Sequence, residues 1–387
     1  VPAGDAPPLA GFHDGFFLRD PKDYFRLYPR ARLNLDFYSS FGPGVSEVKA
    51  VDGGTALGPR LVVRRLRLEL GGDVLKRLSF FTSIDFGGQP ITNANGKTEQ
   101  SAAKAGEAPT AGTARYAAVQ AVGPAAALAD TWVDLRAASF LHFMLGQYQA
   151  PFSLENRTSE GVTPFMERNV AVRGFVFPTG KEIGLSAWGD LLEQRLSYEL
   201  GVFGGDGQNR PQIDGRFDFM GRVVAHPFAG GSGPLARAQI GLSAHHGDRD
   251  PSSVGYDYPQ ITSGQGFALW DPTYKDSLSR QVHILPSGAQ NQIGGELRIP
   301  LSRVALQGEA YYVANNTREA LDGRQLSNTE RLGQIRGVGW YGQVSVWAAG
   351  DTYVNGEPGV TRPRRIDLQK PDRDALEKLR RAFAFHP

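Results

Sequence analysis

The chain of 387 residues contains no cysteine. That excludes disulfide frameworks, thiol nucleophiles and thiolate metal sites, and it fits a compartment where stray thiols would oxidise. No stretch approaches 18 uncharged apolar residues, so no transmembrane helix is expected, and a membrane role would have to be a β-barrel or a peripheral one. A charge excess is also missing. Lys+Arg 42 against Asp+Glu 40 leaves +2, too little to hold a nucleic-acid backbone, so nucleic acid is not an expected partner and any electrostatic function must be local. The chain opens Val1-Pro2-Ala3-Gly4 with no methionine, basic n-region or apolar h-region. It reads as a chain whose signal peptide has been removed, and trimming would look the same.

What the chain has in quantity is glycine and proline, 48 and 25 residues. Together they make up roughly a fifth of it, against an average near 12%, which points to many turns between β-strands. Period-two alternation is clearest from Phe25 to Tyr38. Phe25, Leu27, Ala31, Leu33, Leu35 and Phe37 fall on one face, and Arg26, Tyr28, Arg30, Arg32, Asn34 and Asp36 on the other. Residues 61–71 repeat the pattern, with Leu66, Leu68 and Leu70 opposite Arg65, Arg67 and Glu69. After Gly71-Gly72-Asp73 the chain returns through Leu78, Phe80, Ile84 and Phe86, so the two segments predict a hairpin turning near residues 72–76. Similar segments follow at about 129–136, 139–149, 181–189, 194–204, 216–227, 235–246, 291–300, 303–314 and 337–349, giving about twelve strands.

Short connections (137–138, 190–193, 228–234, 301–302) alternate strictly with long ones (42–60, 87–128, 150–180, 205–215, 247–290, 315–336). This is the pattern of an all-β, antiparallel up-and-down barrel of the outer membrane. Alternating strands also build soluble β-sandwiches. Strand length, the short/long alternation and the arginines on the would-be interior face favour the barrel.

Several segments resemble, in order, the phosphate-selective porin O and P family of Gram-negative outer membranes. Val63 to Leu70, with Arg64, Arg65 and Arg67, is similar to its paired-arginine strand. Gly146-Gln147-Tyr148 followed by Pro151 to Glu155 resembles a strand running into the family's third loop, whose body Thr158-Ser159 and Met166 to Asn169 resemble. Leu196-Ser197-Tyr198, Gly201-Val202-Phe203 and Gly205-Asp206-Gly207 resemble the next strand and loop, and Leu306 to Val313 and Gly339 to Ser345 complete the series. The resemblance implies a homotrimer of 16-stranded barrels set among outer-membrane lipid and lipopolysaccharide. It also implies an inward third loop at about 150–180, passive diffusion of small anions with phosphate among them, no enzymatic activity and no cofactor.

An anion in a narrow pore gives up hydration and needs N–H donors and positive charge in return, a role suited to arginine, whose planar fork fits phosphate and never loses its charge. Alternation sends Arg26, Arg30, Arg32, Arg65 and Arg67 to the lumen from two neighbouring strands. The bland alternative is that each pairs with Asp36, Glu69 or Asp85 and only solvates the wall. By resemblance, the constriction arginines fall on Arg32, Arg64 and Arg65, an acidic partner falls on Asp130, and the family's loop lysine falls on Asn156 with Arg157 beside it. Alternation turns Arg64 outward unless a bulge re-aims it. Glu167 and Arg168, in the loop with Arg173, suggest an internal salt bridge or lining of the eyelet. Lys181 and Glu182 read as rim charges. Tyr198, Phe203, Trp340, Tyr341 and Trp347 read as interfacial aromatics, with core packing as the alternative.

Asp206 to Asn209 with Asp214 lacks calcium-loop spacing and reads as a turn. His245 and His246 point to opposite faces of a strand and cannot ligate one ion together. No catalytic triad, P-loop or supported carboxylate pair is present. Residues 1–24 are expected to be a periplasmic lead segment and 25–350 the barrel. In 351–387 the alternation breaks into a basic stretch and a short amphipathic helix from Asp372 to Phe385. Either closing strands are missing, the preferred expectation, or the barrel has twelve strands and a basic tail. Two other functions remain open: a plugged or structural barrel binding partners through loops 87–128 and 247–290, or a secreted sandwich holding an anionic ligand on its arginine face.

Overall fold

The computed structural model describes residues 9–12, 15–43, 59–87, 98–101, 114–117, 126–160, 163–175, 180–210, 212, 214–231, 235–250, 257–258, 260–262, 268–301, 304–321 and 331–346. The expected basic tail and amphipathic helix of 351–387, most of loop 87–128, and Trp347 lie outside them.

Fifteen strands form one antiparallel sheet in up-and-down order. It begins with the short β1 (Ala10–Phe12) and β2 (Phe16–Arg19), so the sheet starts within the segment 1–24. Then come β3 (Phe25–Tyr38), β4 (Arg60–Val74) and β5 (Leu78–Asp85). A separate pair, β6 (Thr98–Ser101) and β7 (Ala114–Ala117), precedes β8 (Ala127–Ala138) and β9 (Leu141–Gln149). After two short helices, α1 (Leu154–Arg157) and α2 (Val170–Phe175), the sheet resumes with β10 (Lys181–Leu191), β11 (Leu196–Phe203), β12 (Asp218–Ala225) and β13 (Gln239–Arg249). The pair β14 (Ile261–Thr262) and β15 (Ala268–Trp270) stands apart, and β16 (Tyr274–Lys275) joins the edge of β17 (Gln281–Leu301). The last two are β18 (Val304–Leu321) and β19 (Leu332–Val346). Each of the twelve alternating segments read from the sequence is a strand of this sheet.

The strand ends are where the reading shifts. β17 and β18 pair over 17 positions, from Val282↔Leu321 to Leu301↔Val304, so residues 281–290 and 315–321, expected as loop, extend the ladder. Polar and apolar side chains are mixed there, with His283 buried between Val282 and Leu285, so the stretch does not show clean apolar alternation. The turn after β4 lies at Leu75–Arg77, and Gly71 and Gly72 sit inside the strand opposite Tyr28 and Leu27. Gly72 is there for close approach. A Cβ on it would lie 2.6 Å from the Arg26 carbonyl and 2.5 Å from the Phe80 ring.

The two faces of the sheet are inverted relative to a water-soluble sandwich. Leu33, Leu35 and Phe37 of β3, Leu145 of β9, Leu200 of β11, Phe219 of β12, Ile240 and Leu242 of β13, and Trp340 and Val344 of β19 are exposed. Arg67 and Glu69, Asp85, Asp134, Glu199, Arg222, Ser243, Glu296 and Glu309, on the opposite face, are buried. A sheet with its greasy side outward and its charges inward is what a lipid solvent selects.

Curvature follows from what the helical segment touches. Leu154 N–H reaches Glu309 on β18, and Glu160 reaches Arg67 on β4. Nine strand intervals separate β4 from β18, about 43 Å on a flat sheet. The six residues from Leu154 to Glu160 extend at most about 21 Å. The sheet is therefore strongly curled, with its polar face around this segment.

Part of that inner face is a packed core. Trp132, Met144, Tyr148, Phe152, Val172, Trp188, Phe203, Met220, Tyr311 and Tyr341 cluster there. Phe203 and Tyr341, read as interfacial aromatics, thus point inward. Phe203 is 0% exposed, lies edge-on to Tyr148, and occupies the space left by Gly184 and Gly201. Trp340, its side chain on the outer face, is 75% exposed. Among the described residues no helix is long and apolar enough to cross a membrane, which says nothing about crossing by strands.

Candidate functional site

The chain leaves β9 at Gln149 and turns onto the polar face. Ser153, with φ 70°, caps α1 by accepting the Asn156 N–H at 3.2 Å. Its own N–H donates to Ser243 Oγ at 3.2 Å, and its hydroxyl lies 3.1 Å from that of Tyr311. Glu309 accepts the N–H groups of Leu154 at 2.7 Å and Glu155 at 2.9 Å, and the Tyr341 hydroxyl at 2.6 Å. Three strands thus hold the start of the helix. A carboxylate suits the task because the first amides of a helix have no intrahelical acceptor.

The rest of the segment is bound as tightly. Asn156 donates to the carbonyls of Ala150 at 3.3 Å and Gly180 at 3.0 Å, tying the entry to the exit. Arg157 pairs with Glu199 at 2.5 Å and donates to the Gln149 carbonyl. Arg168 donates to the carbonyls of Glu155 at 3.1 Å, Asn156 at 3.4 Å and Thr158 at 2.9 Å, so most of its donors satisfy the end of α1. The Glu155 carboxylate accepts the Asn169 N–H. Burial, with Glu309 nearby, pushes the Glu155 carboxyl up to about 7.

The arginine wall faces this segment from β3 and β4. The register slips between Asn34, opposite Arg65, and Leu35, opposite Val63, leaving Arg64 as the extra residue of a β-bulge. The bulge turns Arg64 to the same face as Arg65 and Arg67, which regular alternation forbids. Arg64 pairs with Glu167, which also lies 3.6 Å from Arg173. Arg65 Nε and Arg67 Nη1 lie 3.0 and 2.6 Å from Glu160 Oε2, and Arg168 Nη1 lies 3.3 Å from Glu160 Oε1. Arg67 also bonds Asp85 at 2.7 Å, and Arg32 lies 3.5 Å from Glu69. In this network six guanidinium groups share four carboxylates, an excess of two positive charges. Burial works against the charge on Glu160, yet Arg67, Arg168, Lys181 and Arg65 hold its carboxyl well below the usual range.

The remaining expected residues divide. Arg30 is exposed on the same face. Arg26 lies at the other end of the strand and pairs with Asp23 of the β2–β3 turn. Asp130 pairs with Lys181 at 2.7 Å. The internal salt bridge expected of the loop forms between Glu167 and Arg173, at 3.6 Å, while Arg168 pairs with Glu160 instead of Glu167. Lys181 and Glu182 are buried rather than on a rim. Lys181 also donates to the Ala129 carbonyl at 2.8 Å, and Glu182 accepts the N–H groups of Gly205 and Gly207 at 3.1 Å. His245 bonds Asp218 while His246 bonds Asn291 on the exposed side, and no group of residues able to hold a metal occurs among the described residues.

Sequence reasoning passed over Glu160, Glu199 and Glu309. The alternation that puts Tyr311 inward also puts Glu309 inward, so that signal was available. Glu160 lies outside any periodic element, and only the fold brings three arginines to it.

The family model for the phosphate-selective porin O and P family matches residues 38–365. The chain belongs to that family. It is an outer-membrane porin of Gram-negative type, and its curled sheet is a transmembrane barrel wall with the exposed apolar face toward lipid. No curated protein matches the chain. Among solved structures, the outer membrane channel DcaP of Acinetobacter baumannii is similar to the porin at 11% identity and a TM-score of 0.26, over 87% of this chain and 100% of that one.

Proposed function

We propose that the porin conducts small anions, phosphate among them, by passive diffusion past a constriction formed between the β3–β4 arginine wall and the segment 150–175. The observation that carries this reading is the bulge at Arg64, which sets it beside Arg32, Arg65 and Arg67 on one patch of the polar face, where together with Arg168 and Arg173 of the facing segment six guanidinium groups meet four carboxylates. Excess positive charge in a confined, poorly hydrated passage raises the local concentration of anions and repels cations. Asn156 stands where the family's loop lysine is expected and is engaged by two carbonyls, so the channel favours anions in general over phosphate alone.

The test is planar-bilayer conductance of the detergent-purified porin under a KCl gradient. An anion-selective reversal potential, reduced in a barrel-competent R32A/R65A/R67A variant, supports the assignment. Cation selectivity, or an unchanged potential in the variant, overturns it. Steps in triplets would support the homotrimer included in this proposal. The packed aromatic core on the inner face favours a second reading, a plugged barrel that binds partners through its loops, and absence of single-channel steps would select it.

A further inference from the structure

Glu160 puts an anionic group inside the arginine cluster to which the proposed function assigns the passing ion. Its carboxylate stands among Arg65, Arg67 and Arg168, with Arg67 also held by Asp85. A second observation bears on how it is held. Glu160 Oε2 is buried and within 3.0 Å of two guanidinium nitrogens, yet no contact to it has hydrogen-bond alignment. The attraction there is charge without direction. The backbone fixes where the carboxylate can point, because Glu160 follows the tightly docked α1 and its carbonyl is engaged by Thr163 Oγ1 at 3.3 Å. A free oxyanion carries no such constraint and can align its oxygens with the N–H forks, which makes each charge-assisted bond stronger.

We infer that Glu160 is a tethered counter-anion: it fills the guanidinium site in the empty channel, competes with permeating oxyanions, and thereby sets how strongly the constriction retains them. The inference deepens the anion-channel reading and rests on it. Its consequence for transport is physical. Without Glu160 the positive charges of Arg65, Arg67 and Arg168, offset only by Asp85, would hold phosphate too firmly for flux, since conduction needs binding strong enough to admit an ion and weak enough to release it. An internal carboxylate that reoccupies the site as the ion leaves lowers retention without removing the positive excess that attracts the ion.

The experiment compares the full-length porin with E160Q and E160D in planar bilayers, reading reversal potential in a KCl gradient and then block of chloride current by inorganic phosphate. Removing one negative charge about 5 Å from the ion path at 0.1 M salt should raise the chloride-to-potassium permeability ratio about five-fold in E160Q. Half-block by phosphate should occur at a concentration at least several-fold lower. E160D separates competition from net charge, because it keeps the charge but shortens the reach. It should strengthen phosphate block relative to the parent with little change in the chloride-to-potassium ratio, and it gives the result even where E160Q fails to assemble. Phosphate block unchanged or weakened in both variants, in a porin that is itself anion-selective, overturns this inference alone. A cation-selective parent channel overturns the anion reading beneath it.

Discussion

Glu309 accepts the first two amides of α1, and E309A tests whether it docks the segment 150–175 on the barrel wall. The substitution leaves the N–H groups of Leu154 and Glu155 without their acceptor in a buried setting. Each orphaned amide costs about 1–3 kcal/mol, so the docked state loses about 2–6 kcal/mol. Relief of repulsion with the nearby Glu155 acts the other way and places the expectation near 3 kcal/mol. The ties through Ser153, Arg157 and Arg168 remain, so the segment stays docked but opens about 100-fold more often, since every 1.4 kcal/mol is tenfold. Hydrogen exchange of the peptide covering residues 150–160, in detergent-solubilised barrel, reads this directly. Exchange should accelerate about 100-fold in E309A and by less in E309Q, which keeps one acceptor oxygen. Unchanged protection in E309A, with the barrel assembled, refutes the anchoring role.

The same segment should respond to pH. The Glu155 carboxyl is pushed up from 4.5 to about 7 by burial, so between those values the docked form holds more protons than the undocked form and docking weakens as pH rises through that window. Opening, corrected for intrinsic exchange rate, should be more frequent at pH 8 than at pH 5, and E155Q should reduce the difference. On the lipid face, L242R should impair insertion or assembly, at a cost of about 2–4 kcal/mol if the site lies near the bilayer midplane, measured as the folded fraction in a heat-modifiability assay; an unaffected fraction would contradict the outward orientation of β13. Truncating the fully buried Phe203 to Ala should cost about 3–5 kcal/mol in folding stability, seen as a lower urea midpoint in lipid vesicles. An unchanged midpoint would show that the space over Gly184 and Gly201 is not packed as described.

The class of fold is legible from the order of residues alone. Strand alternation is a local property, because successive side chains must point to opposite faces, and so Leu33 and Arg32 disclosed their faces without knowledge of any neighbour. The order of short and long connections likewise fixed the up-and-down path, and the twelve segments read this way are the twelve long strands of the sheet. Everything that depends on two distant pieces meeting emerges only when the chain is folded. The bulge at Arg64 is a mismatch between two strands, so neither strand shows it alone. Phe203 and Tyr341 look like interfacial aromatics until the inner face is seen to close over them. Glu160 and Glu309 carry no periodic mark that assigns them a partner, and they matter because the chain between β9 and β10 crosses the polar face to reach β4 on one side and β18 on the other. A charge reads from sequence as available; only the fold shows which opposite charge already occupies it, since ion pairing depends on separations of a few ångströms that sequence distance does not encode.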